Sequence, residues 1–112
     1  MKLMIREFLR RDGRNPLREW LDELDASVRA RIQARVFRFE QGNLGDHKMV
    51  GGGVWEARLD FGPGYRIYFG KVGAAIILLL LGGDKSSQAK DIATAQTQWK
   101  YYLEVEQHGK TK

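Results

Sequence analysis

Residues 54–84 read VWEARLDFGPGYRIYFGKVGAAIILLLLGGD, and the punctuation of this stretch decides the fold. Val54 to Phe61 alternates as a strand does, with Val54, Glu56, Arg58 and Asp60 on one face and Trp55, Ala57, Leu59 and Phe61 on the other. Gly62-Pro63-Gly64 is turn chemistry: glycine permits positive φ and proline presets the bend. Tyr65 to Lys71 alternates again, placing Arg66, Tyr68 and Gly70 opposite Tyr65, Ile67 and Phe69. After the turn-like Val72-Gly73, Ala74 to Leu81 is apolar throughout, which suits a central strand covered on both faces. A buried helix competes for so leucine-rich a run, but its shortness between two glycine turns favours the strand, with Gly82-Gly83 ending it. These three strands form an antiparallel meander.

Working outward, Met1 to Leu9 partly alternates and is rich in branched and aromatic residues, so it reads as a first strand. Asn15-Pro16 starts a helix, with Asn at the N-cap and Pro at the first helical position. Leu17, Trp20, Leu21 and Leu24 fall on one stripe of it. A second helix, after Asp25 to Ser27, aligns Val28, Ile32, Val36 and Phe39 and leaves Arg29, Arg31, Arg35 and Arg38 off that stripe. The pair is an αα-hairpin ending at Gly42. Gly42 to Gly53 (GNLGDHKMVGGG) reads as a loop. Asp84 or one of the serines caps a last helix running to about Leu103. The expected fold is α+β: one domain over 1–104 with a twisted sheet, the first strand beside the last, and a polar tail over 105–112.

Composition narrows the function. The chain has 112 residues, no cysteine and a formal charge of +5. No cysteine means no disulfide framework, thiolate zinc site or thiol chemistry. The first residues lack a signal-peptide apolar core, and no run approaches the roughly 20 apolar residues of a bilayer span, so a soluble, cytoplasmic protein is expected. A positive balance points to polyanions. Residues 1–56 hold eleven Lys/Arg against nine Asp/Glu and residues 57–112 eight against five, so the charge acts through folded placement rather than through a basic arm. Gly82-Gly83-Asp84-Lys85-Ser86 has Asp where a phosphate loop needs Gly, and Gly51-Gly52-Gly53 precedes a strand rather than a helix. His47 and His108 have no evident triad partners.

What remains is cations on strands. Pairing across Gly62-Pro63-Gly64 puts Arg58 and Arg66 on one side of the sheet, and Lys85 follows the last strand at its carboxyl end. With Lys48 from the preceding loop they can ring one patch, with Tyr68 beside them for base stacking. The plain alternative is that Glu56 and Arg58 are solvated sheet residues whose ion pairs contribute little.

Gly64-Tyr65-Arg66-Ile67-Tyr68-Phe69, then an apolar strand, then Gly82-Gly83-Asp84-Lys85-Ser86 resembles the RelE/ParE superfamily of toxin–antitoxin toxins. Gly51-Gly52-Gly53-Val54-Trp55-Glu56-Ala57-Arg58 and Phe61-Gly62-Pro63-Gly64-Tyr65-Arg66 are similar to its addiction-module killer-protein branch, related to a phage-derived group and to HigB toxins. The likeness runs from about Phe8 to Trp99. It implies a cytoplasmic toxin silenced by a cognate antitoxin. RelE-like members cleave mRNA, commonly on the ribosome and with no metal or other cofactor; ParE-like members inhibit DNA gyrase on the same fold, so fold alone does not decide. The resemblance makes Arg66 and Lys85 the phosphate-contacting residues, with Lys48 and Arg58 contributing. Many RNase members carry a Tyr or His near the C-terminus. Here Ser87, Gln88 and Asp91 stand in that region, and Gln88 is taken as an RNA contact. The expected function is an endoribonuclease toxin, with a gyrase inhibitor or a non-catalytic nucleic-acid-binding module as the alternatives.

Overall fold

The computed structural model describes residues 1–110 and gives the order β1 (Met4–Glu7), α1 (Pro16–Asp22), α2 (Ala26–Glu40), β2 (His47–Gly51), β3 (Val54–Leu59), β4 (Tyr65–Val72), β5 (Ile76–Asp84) and α3 (Gln88–Lys110). A single 3₁₀ turn, Lys85–Ser87, joins β5 to α3. All five strands share one mixed sheet of order β1-β5-β4-β3-β2, so the protein is a single α+β domain. β1 runs parallel to β5 and every other pair is antiparallel. The α1–α2 hairpin covers one face and α3 the other.

The helical hairpin forms as its stripes dictate. The Asn15 side chain accepts from the Arg18 amide at 3.0 Å, and Pro16 opens α1. Leu17, Leu21, Ile32 and Phe39 are buried against Ala57, Ile67, Phe69 and Leu79. Arg35 departs from the expected solvated position. It is 8% exposed, and its guanidinium donates to the carbonyls of Arg58 (2.9 Å), Leu44 (3.1 Å) and Asp46 (3.0 Å). Burial, then repulsion from Arg38, lowers its pKa from the ordinary arginine value.

That clamp helps explain the main correction to the sequence reading. The loop expected over 42–53 contains a strand, so the meander has four strands rather than three. Lys48 pairs with Glu56 and Met49 with Trp55, while Arg35 holds the chain entering β2. The glycines around β2 mask so short a strand, although its partner β3 follows directly across Gly52-Gly53.

β5 also differs at its end. Gly82 and Gly83 do not stop it; the strand continues to Asp84. They are glycines because of what packs on them: a Cβ at Gly82 would strike the Trp20 ring, and one at Gly83 the Asp91 carboxylate. An irregularity in register opposite Tyr68/Phe69 lets both Leu80 and Leu81 face α3. At the far end, α3 passes Leu103 and continues to Lys110. The polar tail expected over 105–112 is therefore helical as far as Lys110, and residues 111–112 lie outside those described.

Candidate functional site

The β3–β4 turn and the 3₁₀ turn after β5 enclose a polar cleft of about 350 Å³. Arg58, Arg66 and Lys85 all line it. Arg58 and Arg66 are directly opposed across β3 and β4, and in an antiparallel pair such residues share a face. Gly83 follows Arg66 across β5, bringing the turn that carries Lys85 into the same row. Gly64 lies between Arg66 and Lys85: a Cβ there would stand 3.4 Å from Arg66 Nη1 and 3.7 Å from the Lys85 Cβ. Its φ of +83° is one that side chains other than hydrogen rarely tolerate.

Arg66 is the most constrained of the three. Its Nη1 donates to the Gly64 carbonyl at 2.8 Å. Its Nε stands 3.6 Å from Glu56 Oε2, close enough for an ion pair but too far for a hydrogen bond. The side chain is 10% exposed, so little of it is free to move, while Nη2 makes no hydrogen bond within the described residues. Arg58 is looser, half exposed, with Nε 3.3 Å from Asp46 Oδ2. Lys85 is exposed and makes no ion pair among the described residues.

Beneath the cleft sits a carboxylate that the plain alternative reading would leave in solvent. Glu56 is fully buried. Its Oε2 accepts from the Tyr68 hydroxyl (3.1 Å) and from Gln88 Nε2 (2.9 Å), while Oε1 has no hydrogen-bond partner among the described residues. A buried carboxylate needs cationic or hydrogen-bonding company, and here Arg66 is the cation. The network thus ties β3, β4 and the first turn of α3 to the Arg66 guanidinium. Strand alternation puts Glu56 and Arg58 on one face; the coverage of that face by α3 is a tertiary fact.

The remaining expected site residues are placed differently. Tyr68 is wholly buried and has no ring face for a base. Burial and the adjacent Glu56 push its hydroxyl well above the ordinary tyrosine range, so it stays a donor to that carboxylate. Alternation gives its face correctly, but α3 covers that face. The aromatic residue lining the cleft is Tyr65, partly buried beside Phe61 and Trp20. Gln88 is engaged with Glu56, and neither it nor Lys48 lines the cleft. Lys48 is exposed on β2, directly across from Glu56. Asp84, the helix cap read from sequence, accepts from the Ser86 amide (2.8 Å) and hydroxyl (2.5 Å), which hold its carboxyl below the usual aspartate range. Among the described residues, no group of three or more metal-ligating side chains comes together, and no helix is long and apolar enough to cross a membrane.

Comparison with known proteins places this architecture. Residues 19–100 match the family described as phage-derived protein Gp49-like, from within α1 to the middle of α3 and including all of the cleft. The chain belongs to the Gp49-like family. That family lies within the addiction-module killer and RelE-like toxin group. A relative from Haemophilus influenzae, an uncharacterized protein, is 45% identical over 78 residues, which span 69% of this chain and 79% of the relative. No solved structure matches.

Proposed function

We propose that this Gp49-like protein is the toxin of a toxin–antitoxin pair and that its cleft cuts single-stranded mRNA. The observation that carries the reading is the convergence of Arg58, Arg66 and Lys85, from three separate segments, on one polar cleft. A phosphodiester acquires extra negative charge as it is attacked, and preorganised cations stabilise that charge. RNA supplies its own nucleophile, the 2′-hydroxyl, so the chemistry asks the protein for alignment, charge and proton movement. Arg66 grips the nonbridging oxygens through its planar fork, with Glu56 and the Gly64 carbonyl fixing its orientation. Arg58 adds charge to the same or the adjacent phosphate. The 2′-oxygen, losing its proton to solvent, bonds to phosphorus to leave a 2′,3′-cyclic phosphate, and Lys85 faces the leaving 5′-oxygen and protonates it as the P–O bond breaks. Tyr65 stacks on a neighbouring base. The cytoplasmic ribosome supplies the mRNA strand, and an antitoxin segment bearing carboxylates silences the cleft by neutralising it. The HigB-like branch is the part of the superfamily whose activity this reading matches.

One observation favours the second reading, a DNA gyrase inhibitor or non-catalytic binder: among the described residues, no imidazole lines the cleft. Mapping mRNA 5′ ends in cells after induction separates the two. We expect new internal ends with the wild-type protein and their loss with Arg66→Ala, whose cleavage rate falls by roughly 10²–10³. Intact mRNA with a DNA-damage response selects the gyrase reading. Cleavage and growth inhibition undiminished in Arg66→Ala remove Arg66 from the chemistry.

A further inference from the structure

A second cationic cleft adjoins the first. It has a volume of about 160 Å³ and is walled by Arg31, Arg35 and Arg38 of α2 together with Leu59, Asp60 and Phe61. Leu59 and Asp60 also wall the Arg58–Arg66–Lys85 cleft, so the two depressions are neighbours around the end of β3, the second on the hairpin side. The guanidinium of Arg31 lies 3.7 Å above the centre of the Phe61 ring, a cation–π contact that holds it at the wall. Arg31 and Arg38 are exposed, and neither forms an ion pair among the described residues. Asp60, the one carboxylate on the shared wall, is exposed and pairs with none of these arginines. Arg35 is already spent on backbone carbonyls, while Arg31 and Arg38 beside it keep their charges unpaired among the described residues.

Packing accounts for part of this. Arg38 complements the C-terminal end of α2, and the stem of Arg31 shields Phe61. Neither role asks for a depression beside the one holding Arg66. We propose that the α2 cleft seats the phosphodiester backbone flanking the one held at Arg66, on a single RNA strand crossing the end of β3. The proposal rests on the first cleft being an RNA site. Arg31 and Arg38 contact the flanking phosphate oxygens, and the Arg31–Phe61 pair offers a flat face to the adjoining sugar or base. Arg35 holds the floor and makes no contact with the strand.

The test is binding rather than cleavage, so it stands apart from the nuclease reading. The probes are 2′-O-methyl RNA oligonucleotides, which lack the nucleophile: a dinucleotide that fills only the first cleft and a longer strand that reaches the second. The variant is Arg31→Met with Arg38→Gln, which keeps apolar cover on Phe61 and removes two charges. The charge-matched control is Arg6→Gln with Lys100→Gln, both remote from the two clefts. Expected is weaker binding of the longer strand, with the slope of log affinity against log salt shallower by about 0.7 for each phosphate the variant no longer neutralises. Dinucleotide affinity stays unchanged, and the control variant behaves like wild type on both probes. Three results overturn the proposal: equal loss on both probes, equal loss in the control, or a longer strand bound no more tightly than the dinucleotide by the wild-type protein. Polyglutamate that competes as well as RNA, and loses affinity in the same variant, overturns it too and assigns the cleft to an acidic protein instead. Flanking-strand binding without any cleavage sinks the nuclease reading and leaves this one standing.

Discussion

Under the helical hairpin, Phe39, Ile67 and Phe69 meet in an apolar cluster, with Arg35, its guanidinium 5.9 Å from the centre of the Phe39 ring, as a buried charged neighbour bonded to backbone carbonyls. Under the first turn of α3, on the opposite face of the same strands, Glu56, Tyr68 and Arg66 are just as deeply buried but are held by charge and hydrogen bonds. The two faces cost different things to build. Apolar burial stabilises in proportion to the area removed from water and is indifferent to fine position. A buried carboxylate with one oxygen unpartnered is expensive and contributes little net stability. What it does is fix where a cation sits. Both faces gain stability from apolar burial, the α3 face through its own cluster around Leu80, Ala95 and Trp99, but only the α3 face spends part of that gain on orienting Arg66 toward the cleft.

The widest test of that division is Phe39→Ala. Emptying this wholly buried position costs about 3–5 kcal/mol in denaturant unfolding. Cleavage measured at a temperature where the variant is still folded stays near wild type. Next comes Glu56→Gln, which keeps the shape and removes the charge. It costs about 1–3 kcal/mol of stability and slows cleavage more than Phe39→Ala does. If the two variants slow cleavage equally, the faces do not differ in the way described.

The smallest expected effect sharpens the edge of the polar face. Asp84 caps the turn that carries Lys85, so Asp84→Ala costs about 1 kcal/mol at neutral pH. Its folded pKa is lowered by the bonds from Ser86, so the stabilisation is present above the unfolded value near 3.9 and is lost as pH falls through the folded one. The stability gap between wild type and Asp84→Ala should therefore close in acid, which denaturation at several pH values measures.

Much of this division was legible in the chain. Strict alternation in 54–61 and 65–71 gave both faces of β3 and β4, and the Gly62-Pro63-Gly64 turn set Arg58 opposite Arg66. The apolar run announced β5, and Asn15-Pro16 announced α1. Hidden were the features that depend on what covers a face. Glu56 and Tyr68 sit on the same side as Arg58 and Arg66, yet α3 buries the first pair and leaves the cleft open at the second. Gly82-Gly83 looked like punctuation because a glycine's need for close approach is indistinguishable, in one sequence, from its use in a turn. β2 was obscured by its flanking glycines, and Arg35 by an amphipathic pattern that cannot show three carbonyls arriving from elsewhere.

The claim on which the rest depends is that Arg66 and Lys85 act on the same phosphate. A double-mutant cycle in single-turnover RNA cleavage, with Arg66→Ala, Lys85→Ala and the pair, tests it most directly. The expected result is strong coupling, with the double variant losing far less rate than the product of the two single losses. Two losses that simply multiply would contradict it, placing the cations at separate steps or separate phosphates.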